Sequence, residues 1–272
     1  MTTRPSVTRR VLSILEAFSA DRPALSLSEI GRRSGLPVAT AHRLVAELAD
    51  WGALERDERG LYRIGLRLWE VASHAPRGPA LREAALPFLE DLYETTRQHA
   101  QLAVLDGLDV IYLERLSGRE AVHVFTRVGM RFPAAPTGVG LALLAHADPA
   151  VQERAIAGPL RRFTTKTITS GEELRRTLAE IRRTGCAVSD GQVELVALSV
   201  AAPVYGADDT VVAALSVVVP SKGSDPRTLV PAVRAAARGV SRALGAPRAV
   251  RPPEADRHSG HVVGDHGVSG ER

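Results

Sequence analysis

The stretch SLSEIGRRSGLPVATAHRLVAELADWG, residues 26–52, decides the fold of the first part of the chain. Ser26 stands three residues before Glu29, the spacing of a capping box, so a helix starts at Ser26 or Ser28. It turns Leu27, Ile30 and the small Gly31 inward, and Gly35 sits where a left-handed residue closes a helix. Leu36 and Pro37 make the turn, and Pro37 suits the first position of a new helix because its missing N–H would have no partner there. Over 38–51, Ala41, Leu44, Val45 and Leu48 share one face, and Val38, Ala39, Thr40, His42, Arg43 and Glu47 share the other. Gly52 stops the helix. Two helices joined by so short a turn form a helix-turn-helix.

Working outward, Val7, Val11, Ile14, Leu15 and Phe18 mark one stripe of an amphipathic helix over 6–20, ended by Asp21, Arg22 and Pro23. Downstream, 54–64 offers two short extended pieces around Arg56-Asp57-Glu58-Arg59-Gly60, a hairpin that completes a winged helix-turn-helix. In such a domain the second helix of the motif enters the major groove. Its outer face here carries small and hydrogen-bonding residues ahead of Arg43 rather than a lattice of Glu and Lys. Val38, Ala39 and Thr40 lead that face, where Ala39 and Thr40 are placed to reach a phosphate or a thymine methyl. Arg43 is placed to reach guanine O6/N7 or a phosphate. His42 and Ser26 either contact DNA or serve packing and capping. Arg32, Arg33, Arg56 and Arg59 add attraction to the backbone. Residues 1–67 hold 11 Arg, no Lys and 8 Asp or Glu, a surplus of three against four for the whole chain. A phosphate backbone is drawn to that end.

Residues 65–74 repeat an apolar helical pattern (Leu66, Leu68, Trp69, Val71) with enough apolar surface to pair with a second copy, and Pro76-Arg77-Gly78-Pro79 breaks it. The expected division is 1–65 winged helix-turn-helix, 66–79 linker helix, 80–246 second domain, and a polar tail, 247–272, expected to be disordered. His258, His261 and His266 belong to that tail and read as polar tail rather than metal ligands. In the second domain, helices are expected over 81–97, 137–145, 150–157, 171–184 and 226–244. Strands are expected over 101–105, 110–115, 122–126, 195–205 and 210–219, with Asp106-Gly107 as a hairpin signal. An antiparallel sheet with helices packed on it gives an α+β class.

Composition excludes several other classes. Hydrophobic residues make up 44% and charged residues 24%, ordinary for a globular chain, and no apolar run approaches the roughly 18 residues of a membrane helix. Residues 1–10 are polar and basic, unlike a signal peptide, and the lone Cys186 cannot form an internal disulfide. Both fit a cytoplasmic protein without contact to a membrane. There is no Gly-x-Ser-x-Gly elbow, no phosphate-cradling Gly-Lys loop and no paired Cys or His at metal spacing. Glu114, His123 and Asp190 stand at no spacing that demands catalysis. The expectation is a non-enzyme without cofactor or metal; the alternatives are a DNA binder indifferent to effectors, or an enzyme built on the second domain.

The ordered set Leu36-Pro37-Val38-Ala39-Thr40-Ala41-His42-Arg43-Leu44, Tyr62-Arg63-Ile64-Gly65, Gly129-Met130-Arg131-Phe132-Pro133, Thr137-Gly138-Val139-Gly140, Ala201-Ala202-Pro203-Val204 and Ala213-Ala214-Leu215-Ser216-Val217 resembles the IclR family of bacterial transcription regulators. The resemblance runs to about Ala246. It implies a GAF-like second domain with a six-stranded antiparallel sheet, and double-stranded DNA and a small-molecule effector as partners. It also implies a dimer through the DNA-binding end, often a tetramer, and a repressor before an activator. The effector would be an organic acid or related catabolic metabolite, held around Gly138 and Val139, the 186–190 segment with Cys186 and Asp190, and Ser199 and Ser216. As a lone thiol, Cys186 also reads as a small core residue. Family members carry His and Lys where this chain has Ala135 and Leu141, which implies a less charged or more apolar ligand. Ser189, followed by Asp190, stands where the family usually has an acid.

Overall fold

The computed structural model describes residues 5–75, 77–118 and 121–250. They divide into two compact units, the first ending at Ala80 and the second beginning at Leu81.

The first unit opens with α1 (Val7–Leu15), capped by the Ser6 hydroxyl. This helix ends five residues before its expected stop. Ala17 and Phe18 N–H groups bond three residues back, to Ile14 and Leu15, so the last turn tightens, and Phe18 still packs on the core. A two-residue strand that the sequence pattern did not suggest, β1 (Ala24–Leu25), precedes α2 (Leu27–Ser34) and α3 (Val38–Trp51). The wing consists of β2 (Leu54–Arg56) and β3 (Tyr62–Ile64), and β1 adds to it in the order β1-β3-β2. Ile14, Ala17, Leu25, Ile30, Leu44, Val45 and Leu54 form the core. Helix α4 (Leu66–Ser73) buries none of its residues; Leu66 is 70% and Trp69 64% exposed.

The second unit is built on a six-stranded sheet. In chain order its elements are α5 (Pro79–Thr96), β4 (His99–Asp106), β5 (Asp109–Leu116), β6 (Arg131–Pro133), α6 (Gly138–Ala145), α7 (Pro149–Ala157) and α8 (Gly171–Thr184). They continue with β7 (Ala187–Asp190), β8 (Ala197–Tyr205), β9 (Val211–Pro220), α9 (Pro226–Ala243) and α10 (Pro247–Val250). The strand order is β6-β5-β4-β9-β8-β7, antiparallel throughout. Because side chains alternate along a strand, the sheet has two apolar faces. Leu102, Val200, Leu215 and Val217 meet Leu89 of α5 and Val233 and Val240 of α9 on one side. Ala103, Ala201 and Ala214 meet α6 and α8 on the other. Helix α6 is buried over all eight residues, as an all-apolar run of helical length demands.

Two expectations are corrected here. The segment 122–126 is irregular rather than a strand. The sheet edge beside β5 is taken by β6, which pairs Val110 with Phe132 and Ile111 with Arg131. The tail also starts later than expected, because 247–250 forms α10, whose backbone is tied in by the Arg248 N–H donating to Asp209. The rest of the tail, with its three histidines, lies outside the described residues.

Candidate functional sites

In the first unit the helix-turn-helix is held by its caps. The Ser26 hydroxyl accepts from the Glu29 N–H at 3.3 Å, and the Glu29 carboxylate accepts from the Ser26 N–H at 2.9 Å. The cap fixes Ser26 at the first turn of α2. Hydrogen bonds from Ser26 also hold the Glu29 carboxyl below its usual range. Gly35, at φ +69°, and Leu36 return their N–H groups to the Gly31 carbonyl. Gly31 is buried, and a Cβ there would press on the Leu36 carbonyl oxygen at 3.3 Å, so glycine permits the tight turn.

Ala41, Leu44 and Val45 anchor α3 in the core, which leaves Val38, Ala39, His42 and Arg43 exposed and Thr40 half-buried on one outward face. Arg43 reaches Glu47 one turn on, at 2.6 Å, with both side chains largely in solvent. Of the flanking arginines, Arg32 is exposed, whereas Arg33 donates through Nε to the Ala17 carbonyl at 2.6 Å and ties α2 to the end of α1. At the wing tip Asp57 accepts from the Arg59 and Leu61 N–H groups and from Arg63 at 2.7 Å. Those bonds, that with Arg63 foremost, hold its carboxyl below the ordinary range. Arg56 lies over the Tyr62 ring at 5.6 Å, and the Arg56 and Arg59 side chains are exposed on the hairpin. The unit thus presents an open, arginine-edged helix face and a stiffened wing.

The second unit holds a partly open site on the α6 side of the sheet. Its cavity of about 50 Å³ is bounded by Gln101, Tyr112, Phe125, Phe132, Ser199 and Glu194 among others. One water needs about 10–15 Å³ on that measure. The floor crosses four strands. Gln101 lies on β4, Val218 on β9, Ser199 opposite Val218 on β8, and Ser189 opposite Ser199 on β7. At one end stand Thr137, Gly138 and Val139, the N-terminus of α6. The Thr137 hydroxyl caps the Gly140 N–H at 3.0 Å, and first-turn amides such as those of Gly138 and Val139 have no carbonyl within the helix to bond. A Cβ on Gly138 would lie 3.0 Å from Ser199 Cβ and nearer still to its hydroxyl, so glycine lets β8 approach the helix end.

The segment 121–128 forms the opposite wall. Gln101 donates to the Thr126 hydroxyl at 2.7 Å, Arg115 donates to the Thr126 carbonyl, and the His99 ring bonds the Val122 carbonyl. His99 is buried and flanked by Arg115, which keeps its ring neutral to lower pH than usual, burial being the larger cause. Val124, Phe125 and Thr126 thereby face the cavity, and Phe125 and Phe132 pack ring to ring at 5.2 Å. Burial also pushes the Tyr112 hydroxyl well above its ordinary range, partly offset by its bond with Thr137.

Of the six residues expected at an effector site, Gly138, Val139 and Ser199 line the cavity. Ser216 lies one step further along β9, opposite Gln101 and Ala201, with its fully buried hydroxyl lacking a partner. Cys186 and Asp190 do not line it. Cys186 points into the α5/α9 core and donates to the Ala201 carbonyl at 3.1 Å. Asp190 pairs with Lys166 at 2.7 Å and with Ser221. Strand alternation explains both placements, since Ala187 and Ser189 take the α6 face and their neighbours take the other. Tyr112, Thr126, Phe132 and Glu194 were missed. Only alternation along β5, which puts Tyr112 on the face of Val110, carried any signal. Glu114 is bonded to Arg82 of α5 at 2.6 Å.

Among the described residues no cluster of His, Cys, Asp and Glu is suited to a metal ion, and no helix is long and apolar enough to cross a membrane. Residues 7–58 match the family model described as "IclR helix-turn-helix domain", and residues 76–242 match "Bacterial transcriptional regulator IclR C-terminal". The chain belongs to the IclR family. It is a DNA-binding transcriptional regulator of that family. It is 31% identical to the HTH-type transcriptional regulator XynR of Escherichia coli, over 88% of this chain and 96% of that one. An IclR homologue from Microbacterium hydrocarbonoxydans, solved in complex with 4-hydroxybenzoate, is 43% identical and superposes with a TM-score of 0.84, covering 88% of this chain and 99% of that one. An IclR-family regulator from Alicyclobacillus acidocaldarius is 27% identical at a TM-score of 0.74, over 89% and 100%.

Proposed function

We propose that this IclR-family regulator is a cytoplasmic, non-enzymatic repressor whose hold on its operator is released by a small aromatic carboxylic acid. The observation that carries the ligand class is the cavity. Its walls are Phe125, Phe132, Tyr112, Val139 and Val218, none of the described residues lining it is Lys, Arg or His, and the N-terminus of α6 opens into it. Unbonded first-turn amides at the positive end of a helix favour a carboxylate, and the aromatic walls favour a flat apolar body. The relative crystallised with 4-hydroxybenzoate supports the same chemistry. A ligand of one ring displaces water and presses the 121–128 segment outward. On the DNA side, Ala39, Thr40, His42 and Arg43 read the major groove, Val38 packs beside them, and Ser26, Arg32, Arg33, Arg56 and Arg59 face the backbone. A single recognition helix covers few base pairs, so the working form is a homodimer or tetramer, paired through the exposed apolar surface of α4. The acid must prefer one quaternary arrangement for its binding to alter DNA affinity.

The test is to capture genomic DNA with the purified full chain and sequence it. The recovered operator is then titrated by fluorescence anisotropy with and without benzoate and 4-hydroxybenzoate. A loss of operator affinity of about 5- to 150-fold on ligand addition is expected. An operator affinity indifferent to both acids overturns the ligand class, and a gain of affinity overturns release.

A further inference from the structure

Among the described residues that line the cavity, Glu194 is the one charged side chain. It sits on the 191–196 connection between β7 and β8, while the wall it faces, 121–128, follows β5. The two are close enough that Glu194 feels the charges of His123, on that wall, and of Arg115, on β5. Arg115 is otherwise occupied in holding the Thr126 carbonyl and the His99 ring, and His123 is exposed. Neither lines the cavity, so among the described residues Glu194 alone brings a formal charge to it.

That carboxylate constrains what can bind. A ligand carboxylate is repelled from it and is driven to the other polar end, at Gly138 and Val139, where amides await an anion. The ring then lies between Phe125, Phe132 and Val218, and its far substituent meets Glu194. An apolar substituent there shields a partly buried carboxylate from water without offering it a donor, and an anionic one is repelled. A neutral O–H or N–H satisfies it, and hydrogen bonds to an ionised acceptor are roughly twice as strong as neutral ones. Burial pushes the Glu194 carboxyl up, against the pull of His123 and Arg115, so it gains from any donor that reaches it.

We infer that Glu194 is a specificity-determining residue of the effector site, selecting aromatic acids that carry a neutral hydrogen-bond donor on the ring edge opposite the carboxylate. The inference rests on the aromatic-acid reading above and narrows it from a class of acids to donor-bearing ones.

The experiment is calorimetric titration of the full chain, wild type, Glu194→Gln and Glu194→Leu, with 4-hydroxybenzoate, benzoate and terephthalate, after melting curves establish that the variants fold. Wild type is expected to bind 4-hydroxybenzoate about 10- to 100-fold more tightly than benzoate, and terephthalate least. Glu194→Leu is expected to bring the first ratio near one by weakening 4-hydroxybenzoate, and to admit terephthalate. Glu194→Gln, which keeps a neutral acceptor, is expected to fall between. Wild type that binds both monoacids with no preference, or a ratio unchanged in Glu194→Leu, overturns the assignment alone. Wild type that binds none of the three acids overturns the aromatic-acid reading and this assignment with it.

Discussion

Replacing Gly140 with alanine tests the packing on which the cavity depends. The added methyl would stand 2.5 Å from Ala134 Cα and 2.6 Å from its carbonyl carbon, with the carbonyl oxygen closer still. Carbon atoms in good contact lie about 3.5–4.0 Å apart, so α6 and the 134–137 turn must part by about 1 Å. Neither has room to do so. All eight residues of α6 are buried, and Leu174, Leu178 and Ile181 of α8 share its core with Ala103, Ala201 and Ala214 of the sheet. Overpacking of this kind costs about 1–3 kcal/mol, and a backbone obstacle puts it at the upper end. Alanine recovers about 1 kcal/mol through its better helix propensity. The net loss is about 2 kcal/mol, which for a domain of this size lowers the melting temperature by about 4–8 °C. Differential scanning calorimetry of the full chain measures it. A melting temperature unchanged or raised in Gly140→Ala would refute the argument, because it would mean the helix moves freely over the sheet.

Arg43→Ala is expected to weaken operator binding by about 1–3 kcal/mol if the guanidinium reads a base, as measured by anisotropy. The melting curve should hold, since an exposed pair such as Arg43–Glu47 contributes about 0–1 kcal/mol. Trp69→Glu places a charge on the exposed face of α4 and is expected to convert the proposed dimer to monomer in light scattering at micromolar concentration; an unchanged mass would remove α4 from the interface. The wing has its own acid limit. Asp57 binds its proton more weakly in the fold than in the open chain, so its contribution is complete above pH 3.8, persists somewhat below it, and is lost as pH falls through the depressed value. The amide resonances of Arg59 and Leu61 should shift only in that lower range, and a transition at or above pH 3.8 would contradict the bonding described.

The helix-turn-helix was legible because each of its signals is local. The Ser26–Glu29 spacing, Gly35 and Gly52 act within a few residues, and the structure has the capping box and both left-handed glycines in place. The same holds for the hairpin at 106–109. What escaped depends on partners distant in the chain. The β-branched and aromatic stretch at 122–126 looks like a strand until β6 takes the edge it would have used. Asp190 follows the cavity residue Ser189, and Cys186 precedes Ala187 on that same face, so a period of two turns both away from the cavity. Glu194 sits on an irregular connection where no periodicity informs, and only the folded chain sets it against a wall contributed from 70 residues earlier.

The position of Cys186 has a practical side. Its thiol is buried beneath α9, and burial pushes it up to about 11, so it carries little thiolate at neutral pH. It is the single cysteine of the chain. Maleimides and spin labels that need a thiolate will largely pass it by. A cysteine introduced at an exposed position of the wing or of the 191–196 connection can therefore be labelled in the otherwise native sequence, giving a fluorescent or paramagnetic reporter for the proposed coupling of ligand to operator.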